Sequence, residues 1–289
     1  MFDYNRGYMN KFRVTLLIST YNWPEALSLS IRSALSQTVL PDEIVVADDG
    51  STEKTLEVIE QLRSESSIPI RHVWHTDEGF RKTIILNNAI RETDGDYIIQ
   101  IDGDIILHPK FIEDHLSEAR KNTFLRGGRA ILSPEQTERT IVSSEIDAHI
   151  LSKELKNRLN SVRNPFLSLF LTRMSADIAH VKGCNISYWK NDFVKVNGYN
   201  NMLLGWGHED IELAARFYLS GVKMKKIKHK PVSSKTEKMK GIAFHLYHNI
   251  NSREQELRNY DVYQKVLEKK ITYCEDGYAQ GEQYPYKVL

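Results

Sequence analysis

The chain predicts an α/β architecture, a Rossmann-like and mostly parallel sheet flanked by helices. Three observations carry that expectation. Short β-branched, apolar runs alternate with stretches of helical periodicity as far as Tyr97-Ile98-Ile99-Gln100-Ile101. Alternation at this spacing implies right-handed crossovers between parallel strands. The third observation is that three of the runs end in polar clusters: Thr20-Tyr21-Asn22, Asp48-Asp49-Gly50-Ser51 and Asp102-Gly103-Asp104. Parallel sheets bind ligands at the carboxyl ends of their strands, so the clusters mark a single ligand-binding edge.

The elements follow in order. Residues 12–19 (Phe-Arg-Val-Thr-Leu-Leu-Ile-Ser) read as the first strand. Pro24 opens a helix to about Ser36, because its missing N–H costs nothing in the first turn. Residues 43–47 form a second strand, and Ser51 or Thr52 caps a helix over 53–63 with Leu56, Ile59 and Leu62 on one face. Residues 70–74 are a third strand, 83–91 a third helix and 97–101 a fourth strand. Beyond it, residues 133–163 are polar and helical in pattern, 166–174 are apolar and expected to pack on the core, and 241–249 suggest another strand interrupted by His245 and His248. The expected layout is one half over 1–130, a second half of the same domain over 131–272 and a tail over 273–289 in which no chemistry is read.

Composition narrows the function. With 289 residues and 41% hydrophobic content the chain buries a full core. A net charge of +1 gives no reason to expect nucleic acid. Two distant cysteines, Cys184 and Cys274, show no metal spacing and fit a reducing cytoplasm. No apolar h-region opens the chain and no stretch reaches the ~20 apolar residues of a membrane span. Residues 223–240 form a dense lysine block, read as a solvated loop or as a contact for anionic lipid. Neither a Gly-x-Gly-x-x-Gly turn nor a Walker loop is present, which disfavours dinucleotide oxidoreductases and phosphate-loop NTPases.

Asp102 and Asp104 are the most informative pair. Alone, Asp-Gly-Asp reads as a solvated turn after a strand. On an extended chain the two carboxylates share a face, and hard oxygen donors there suit a divalent cation carrying a diphosphate. The ordered set Ser19-Thr20-Tyr21-Asn22-Trp23-Pro24, Val46-Ala47-Asp48-Asp49-Gly50-Ser51 and Asp102-Gly103-Asp104 resembles a GT-A fold, family 2 glycosyltransferase over roughly the first 130 residues. The resemblance implies that Thr20, Tyr21 and Asn22 line the nucleotide pocket and that Asp49 or Asp48 reads uracil. It also places Asp102, beside Gly103, at the ribose or diphosphate and Asp104 on the metal. The run from His75 to Lys82 (His-Thr-Asp-Glu-Gly-Phe-Arg-Lys) resembles the chondroitin-polymerase-type subgroup and puts Arg81 or Lys82 near the sugar diphosphate. Two cations at a helix start oppose the dipole, which a nearby anionic ligand would explain.

In the second half, Gly205-Trp206-Gly207-His208-Glu209-Asp210 precedes a helical pattern. Glycines around an indole free the backbone to present a sugar-stacking plate, and the two acids fall at a helix N-terminus. This run resembles the Gly-Trp-Gly-(Gly)-Glu-Asp motif of β-1,4-galactosyltransferases, departing at His208. The resemblance implies that Asp210 is the general base, Glu209 holds acceptor hydroxyls and Trp206, beside Gly207, forms the platform. His208 is a rival base or narrows the pocket. A late histidine completing the metal shell is implied as well, His248 in preference to His245, and imidazole favours Mn²⁺ over Mg²⁺.

The reading is an inverting, metal-dependent transferase. It moves a hexose or N-acetylhexosamine, with galactose or GalNAc favoured, from a UDP-sugar donor to a glycan or lipid-linked saccharide acceptor. The expected setting is bacterial surface polysaccharide synthesis in the cytoplasm, with peripheral membrane contact at the inner face. The rivals are a non-catalytic carbohydrate-binding protein and a sugar-1-phosphate nucleotidyltransferase; the latter expects a Gly-rich N-terminal loop that the chain lacks.

Overall fold

The computed structural model describes residues 12–143, 155–156, 173–227, 243–249 and 252–289. Its centre is built as the alternation requires. Strands β1 (Val14–Thr20), β2 (Glu43–Asp48), β3 (Ile70–Trp74) and β4 (Tyr97–Asp102) lie parallel in the spatial order β3-β2-β1-β4. Every residue of β1 and β2 is buried, which explains runs that are apolar throughout rather than alternating. Their side chains divide between two faces. Leu16, Ile18 and Val46 pack under α1 (Pro24–Leu35) and α2 (Glu53–Glu65), while Leu17, Val45 and Ala47 pack under α3 (Lys82–Arg91). Pro24 stands at the helix start as expected.

The second half extends this sheet instead of forming its own layer. Chain order continues through β5 (Ile105–Leu107), α4 (Phe111–Glu118), β6 (Thr123–Arg126), β7 (Arg129–Leu132), α5 (Pro134–Ser143), β8 (Leu155–Lys156) and β9 (Arg173–Ser175). It then runs through β10 (Asn185–Trp189), α6 (Lys190–Lys195), α7 (Glu209–Leu219), β11 (Lys223–Lys226), β12 (Ala243–His245), α8 (Glu256–Glu268) and β13 (Lys287–Val288). The described strands give a nine-stranded sheet, β13-β3-β2-β1-β4-β10-β6-β11-β9, and a four-stranded one, β5-β12-β7-β8. β10 runs antiparallel to both β4 and β6, so the sheet is parallel at its core and mixed beyond β4.

Several sequence expectations are corrected here. Gly103 and Asp104 form a turn between β4 and β5, so Asp102 and Asp104 are not alternate residues of one extended strand. The helical pattern over 133–163 holds for α5, but β8 breaks it; the rest of that stretch lies outside the described residues. Of the apolar run 166–174 only its end is described: β9 begins there, and Met174 is half exposed rather than in the core. Lys223 to Lys226 are a strand and not a loop, with Met224 buried and Lys225 paired to Glu118. Residues 228–240 of the lysine block lie outside the described residues. The strand expected over 241–249 is only β12, and the chain leaves the sheet before His248.

The tail folds back onto the first half. β13 pairs antiparallel with β3, a 3₁₀ turn over Tyr278–Gln283 stacks Tyr278 beneath Arg91, and the Tyr286 hydroxyl donates to Glu92 at 2.6 Å. Little of this was legible in hydrophobic periodicity, because the contacts are made by single aromatic rings and edge hydrogen bonds.

Candidate active site

The carboxyl ends of β1, β2 and β4 form a polar floor. Gly103 N–H donates to the Ser19 carbonyl at 2.7 Å, and Asp49 N–H to the Thr20 carbonyl at 3.0 Å, so the three clusters are tied by backbone. Asn22, at φ +46°, accepts from Thr52 N–H and donates its own N–H to Ser51 Oγ at 2.8 Å. Tyr21 stands exposed at the rim with its hydroxyl donating to Asp77 at 2.9 Å. Gly50 fits here for space as well as for φ +96°, since a Cβ would sit 2.6 Å from Asp77 Cα.

The two acids considered for uracil have different surroundings. Asp48 is fully buried, accepting from Ser51 N–H at 2.8 Å and pairing with His72 Nε2 at 2.8 Å. Asp49 pairs with His75 Nε2 at 2.7 Å and accepts from Arg81 N–H at 2.9 Å; burial raises its carboxyl above the usual range. Asp48 is thus held by a turn amide and a histidine, and Asp49 by a histidine and the amide at the start of α3.

The cations that opposed the helix dipole find anions within the protein. Arg81 pairs with Glu78 at 2.7 Å, and Lys82 Nζ donates to Asp102 Oδ1 at 2.6 Å. The two cations at the helix start are thus each balanced by a carboxylate of the chain itself. Burial pulls the Lys82 ammonium down, but Asp102, Asp210 and Glu209 outweigh it and raise its pKa. Asp102 also accepts from Ser19 Oγ at 2.8 Å, and Lys82 overcomes burial to hold its carboxyl below the usual range.

Asp104 turns the other way. Its Oδ2 lies 3.3 Å from His245 Nε2 and 3.3 Å from His248 Nε2, and the three ligand atoms fall within 4.8 Å of one another. The choice between the histidines therefore does not arise, because both face Asp104. Buried Asp104 Oδ1 has no hydrogen-bond partner among the described residues, which leaves a lone pair for a cation. One carboxylate and two imidazoles are a borderline-soft set that Mn²⁺ fits. Burial lowers the pKa of His245, whereas the hydrogen bond to Asp104 raises that of His248.

Across the floor, α7 carries the second-half motif. Gly205 and Gly207 have φ of +74° and +116°, and the Gly205–Gly207 turn is clamped by α8. Buried Asn259 donates to the carbonyls of Leu204 and Gly207 at 3.1 and 3.0 Å. Trp206 is partly exposed, with the Arg253 guanidinium 5.0 Å over its ring. His208 occupies the left-handed region at φ +70°, the conformation that explains why the resembled motif has glycine there, and its ring meets Tyr260. Burial lowers its pKa.

Glu209 is buried and accepts from Gly207 N–H at 3.1 Å. Asp210 Oδ2 accepts from Gly183 N–H at 2.7 Å, while its buried Oδ1 has no partner among the described residues. Burial first, then Glu209, raises the Asp210 carboxyl to about 7, with Lys82 opposing. An unpaired carboxylate oxygen titrating near neutrality is suited to accept a proton.

Sequence reasoning gave no role to Ser19, His75 or Asn259, which hold the acids and the indole loop. It also missed Arg129, which lies close to Asp102 and Asp104 and donates to Cys184 Sγ at 2.7 Å. Cys184 itself is buried, its thiol pushed up to about 12 by burial. No pattern of spacing announces these residues, since each acts through one backbone or side-chain contact across the fold.

Comparison with known proteins bears on the family and the architecture. Residues 15–178 match the family described as Glycosyl transferase family 2, and residues 165–249 match one described as the N-terminal domain of galactosyltransferase. The validoxylamine A glucosyltransferase of Streptomyces hygroscopicus subsp. limoneus is 25% identical over 224 residues, 73% of this chain and 49% of that protein. The chondroitin synthase of Escherichia coli is 32% identical over 112 residues, 39% of this chain and 16% of that protein. The chain thus spans half or less of the length of these relatives. The structure of GalNAc-T7 with UDP, GalNAc and Mn²⁺ superposes with a TM-score of 0.60 at 13% identity, covering 89% of this chain and 48% of that one. That likeness carries the architecture, which is of GT-A type. With the first match extending over more than half of its 289 residues, the chain belongs to glycosyl transferase family 2.

Proposed function

We propose that this chain is an inverting, metal-dependent glycosyltransferase that moves a hexose or N-acetylhexosamine, galactose or GalNAc by preference, from UDP to a saccharide hydroxyl. The observation that carries the reading is the division of labour around β4. A carboxylate–bis-histidine cluster lies on one side and a carboxylate with a free, buried oxygen lies on the other. Asp104, His245 and His248 would hold a divalent cation, which when bound would neutralise charge on the departing diphosphate. Thr20, Tyr21, Asn22 and Asp49 surround the nucleoside, and Trp206 and Glu209 seat the acceptor sugar. Asp210 Oδ1 takes the proton of the acceptor hydroxyl as its oxygen bonds to the anomeric carbon. The bond from that carbon to the diphosphate breaks, and UDP leaves with the electron pair. A single displacement inverts the anomeric centre. Lys82, paired to Asp102, keeps a fixed positive charge between the acids and the leaving group.

The setting we propose is cytoplasmic, on a glycan or lipid-linked acceptor of bacterial surface polysaccharide. Among the described residues no helix is long and apolar enough to cross a membrane.

Thermal shift with UDP, GDP, CMP or NAD, each with Mn²⁺, Mg²⁺ or EDTA, tests the donor half. UDP is expected to raise Tm only with a divalent cation, most with Mn²⁺, the shift reflecting the ~2.7 kcal/mol of stability that a ligand at a hundredfold its Kd contributes. An equal shift in EDTA would remove the metal from the reading, and no UDP shift would favour a carbohydrate-binding protein.

A further inference from the structure

Gly183 precedes Cys184 where the chain enters β10, and it meets Asp210 twice. Its N–H donates to Asp210 Oδ2 at 2.7 Å, and a Cβ placed on it would lie 2.3 Å from Asp210 Oδ1. Its backbone is not in the left-handed region, so glycine is required here by space rather than by φ. The Gly183 carbonyl accepts from Gln100 Nε2 at 3.3 Å. Gln100 is fully buried on β4, where its amide also bonds the hydroxyls of Tyr188 and Tyr199 at 2.8 Å. A carboxylate on α7 is thereby tied to the central sheet through the backbone of one residue.

Resting on the reading of Asp210 as the base, we propose that Gly183 is its positioning residue. The amide fixes one carboxylate oxygen, and the missing side chain leaves the space in which the other stands unpaired for the acceptor hydroxyl. Any side chain at 183 turns the carboxylate off the amide and away from the reacting atoms. The groups facing Asp210 are Glu209 on α7, Lys82 on α3, Asp102 on β4, and the phenols of Tyr188 and Tyr199. The substitution alters none of them.

The test is Gly183→Ala beside Asp210→Asn. UDP release is followed from whichever of UDP-galactose and UDP-N-acetylgalactosamine the wild type turns over, with a soluble β-N-acetylglucosaminide as acceptor. Gly183→Ala is expected to lower kcat about 100-fold, the scale of a misplacement near 1 Å, with donor KM and the UDP–Mn²⁺ thermal shift unchanged. The acid limb of kcat moves to higher pH, because the displaced carboxylate loses the hydrogen bond that favoured its charged form. A general loss of structure would move neither the limb nor kcat alone. Wild-type kcat and limb in Gly183→Ala, with Asp210→Asn inactive, overturn the positioning role and leave the base in place. An active Asp210→Asn removes the base itself and the proposal with it. If Gly183→Ala does not fold, the Gly183→Ala/Asp210→Ala pair decides. A recovered UDP–Mn²⁺ shift locates the clash at the carboxylate and supports the proposal, and continued failure overturns it.

Discussion

Asp210→Asn should leave UDP and Mn²⁺ bound while transfer falls at least ~100-fold, the usual contribution of a general base. The amide keeps the shape and the contact to Gly183 N–H but cannot take a proton from the acceptor. Loss of UDP binding in this variant would assign the residue to the donor side instead. The wild-type pH profile belongs to the same experiment. With the carboxyl raised to about 7, kcat/KM should climb as pH rises through neutrality, because only the ionised form is a base. Stability runs in the opposite sense. An acid whose pKa is higher folded than unfolded holds its proton more tightly in the native state, so its contribution is present below about pH 4 and is lost as pH rises towards 7. Asp210→Asn removes that penalty, and its Tm at pH 8 should equal or exceed the wild type's. A Tm well below wild type at that pH would show Asp210 stabilising the fold.

The largest stability effect is expected two residues further along α7. Arg216 and Glu212 are fully buried and bidentate, at 2.9 and 2.6 Å, and Arg216 Nη1 also donates to the Val196 carbonyl at 2.6 Å. Glu212→Gln leaves a guanidinium in the interior without its counter-charge, which costs about 3–5 kcal/mol. For a chain of this size that is a fall in Tm on the order of 10 °C by calorimetry. Replacing both partners by Leu and Met should recover most of the loss, since a buried pair is dear to break yet cheap to exchange for apolar packing. A small effect of Glu212→Gln would mean that water reaches Arg216.

The parallel core was legible because β1 to β4 are buried on both faces and their polar ends fall at one edge; sequence carries both signals directly. Asp104, Asp210 and the two histidines were legible as a resemblance, and the structure gathers them around β4. What stayed hidden depends on direction and not on identity. The turn at Gly103 sends Asp102 to Lys82 and Asp104 to the histidines, which no alternation rule foresees. Gly183 and Asn259 act through backbone contacts made only after α7 and α8 dock, so their residue types say nothing alone.

The antiparallel insertion of β10 has a consequence for engineering. The stretch after residue 178, matched to a different family description from the first, contributes a strand between β4 and β6, both of which precede it. The two matched stretches are therefore not interchangeable modules. A chimaera joined at that boundary would pull a foreign strand through the middle of the main sheet, against neighbours it never evolved beside. A graft that spares the main sheet would be confined to the loops before and after α7, with β10 left native.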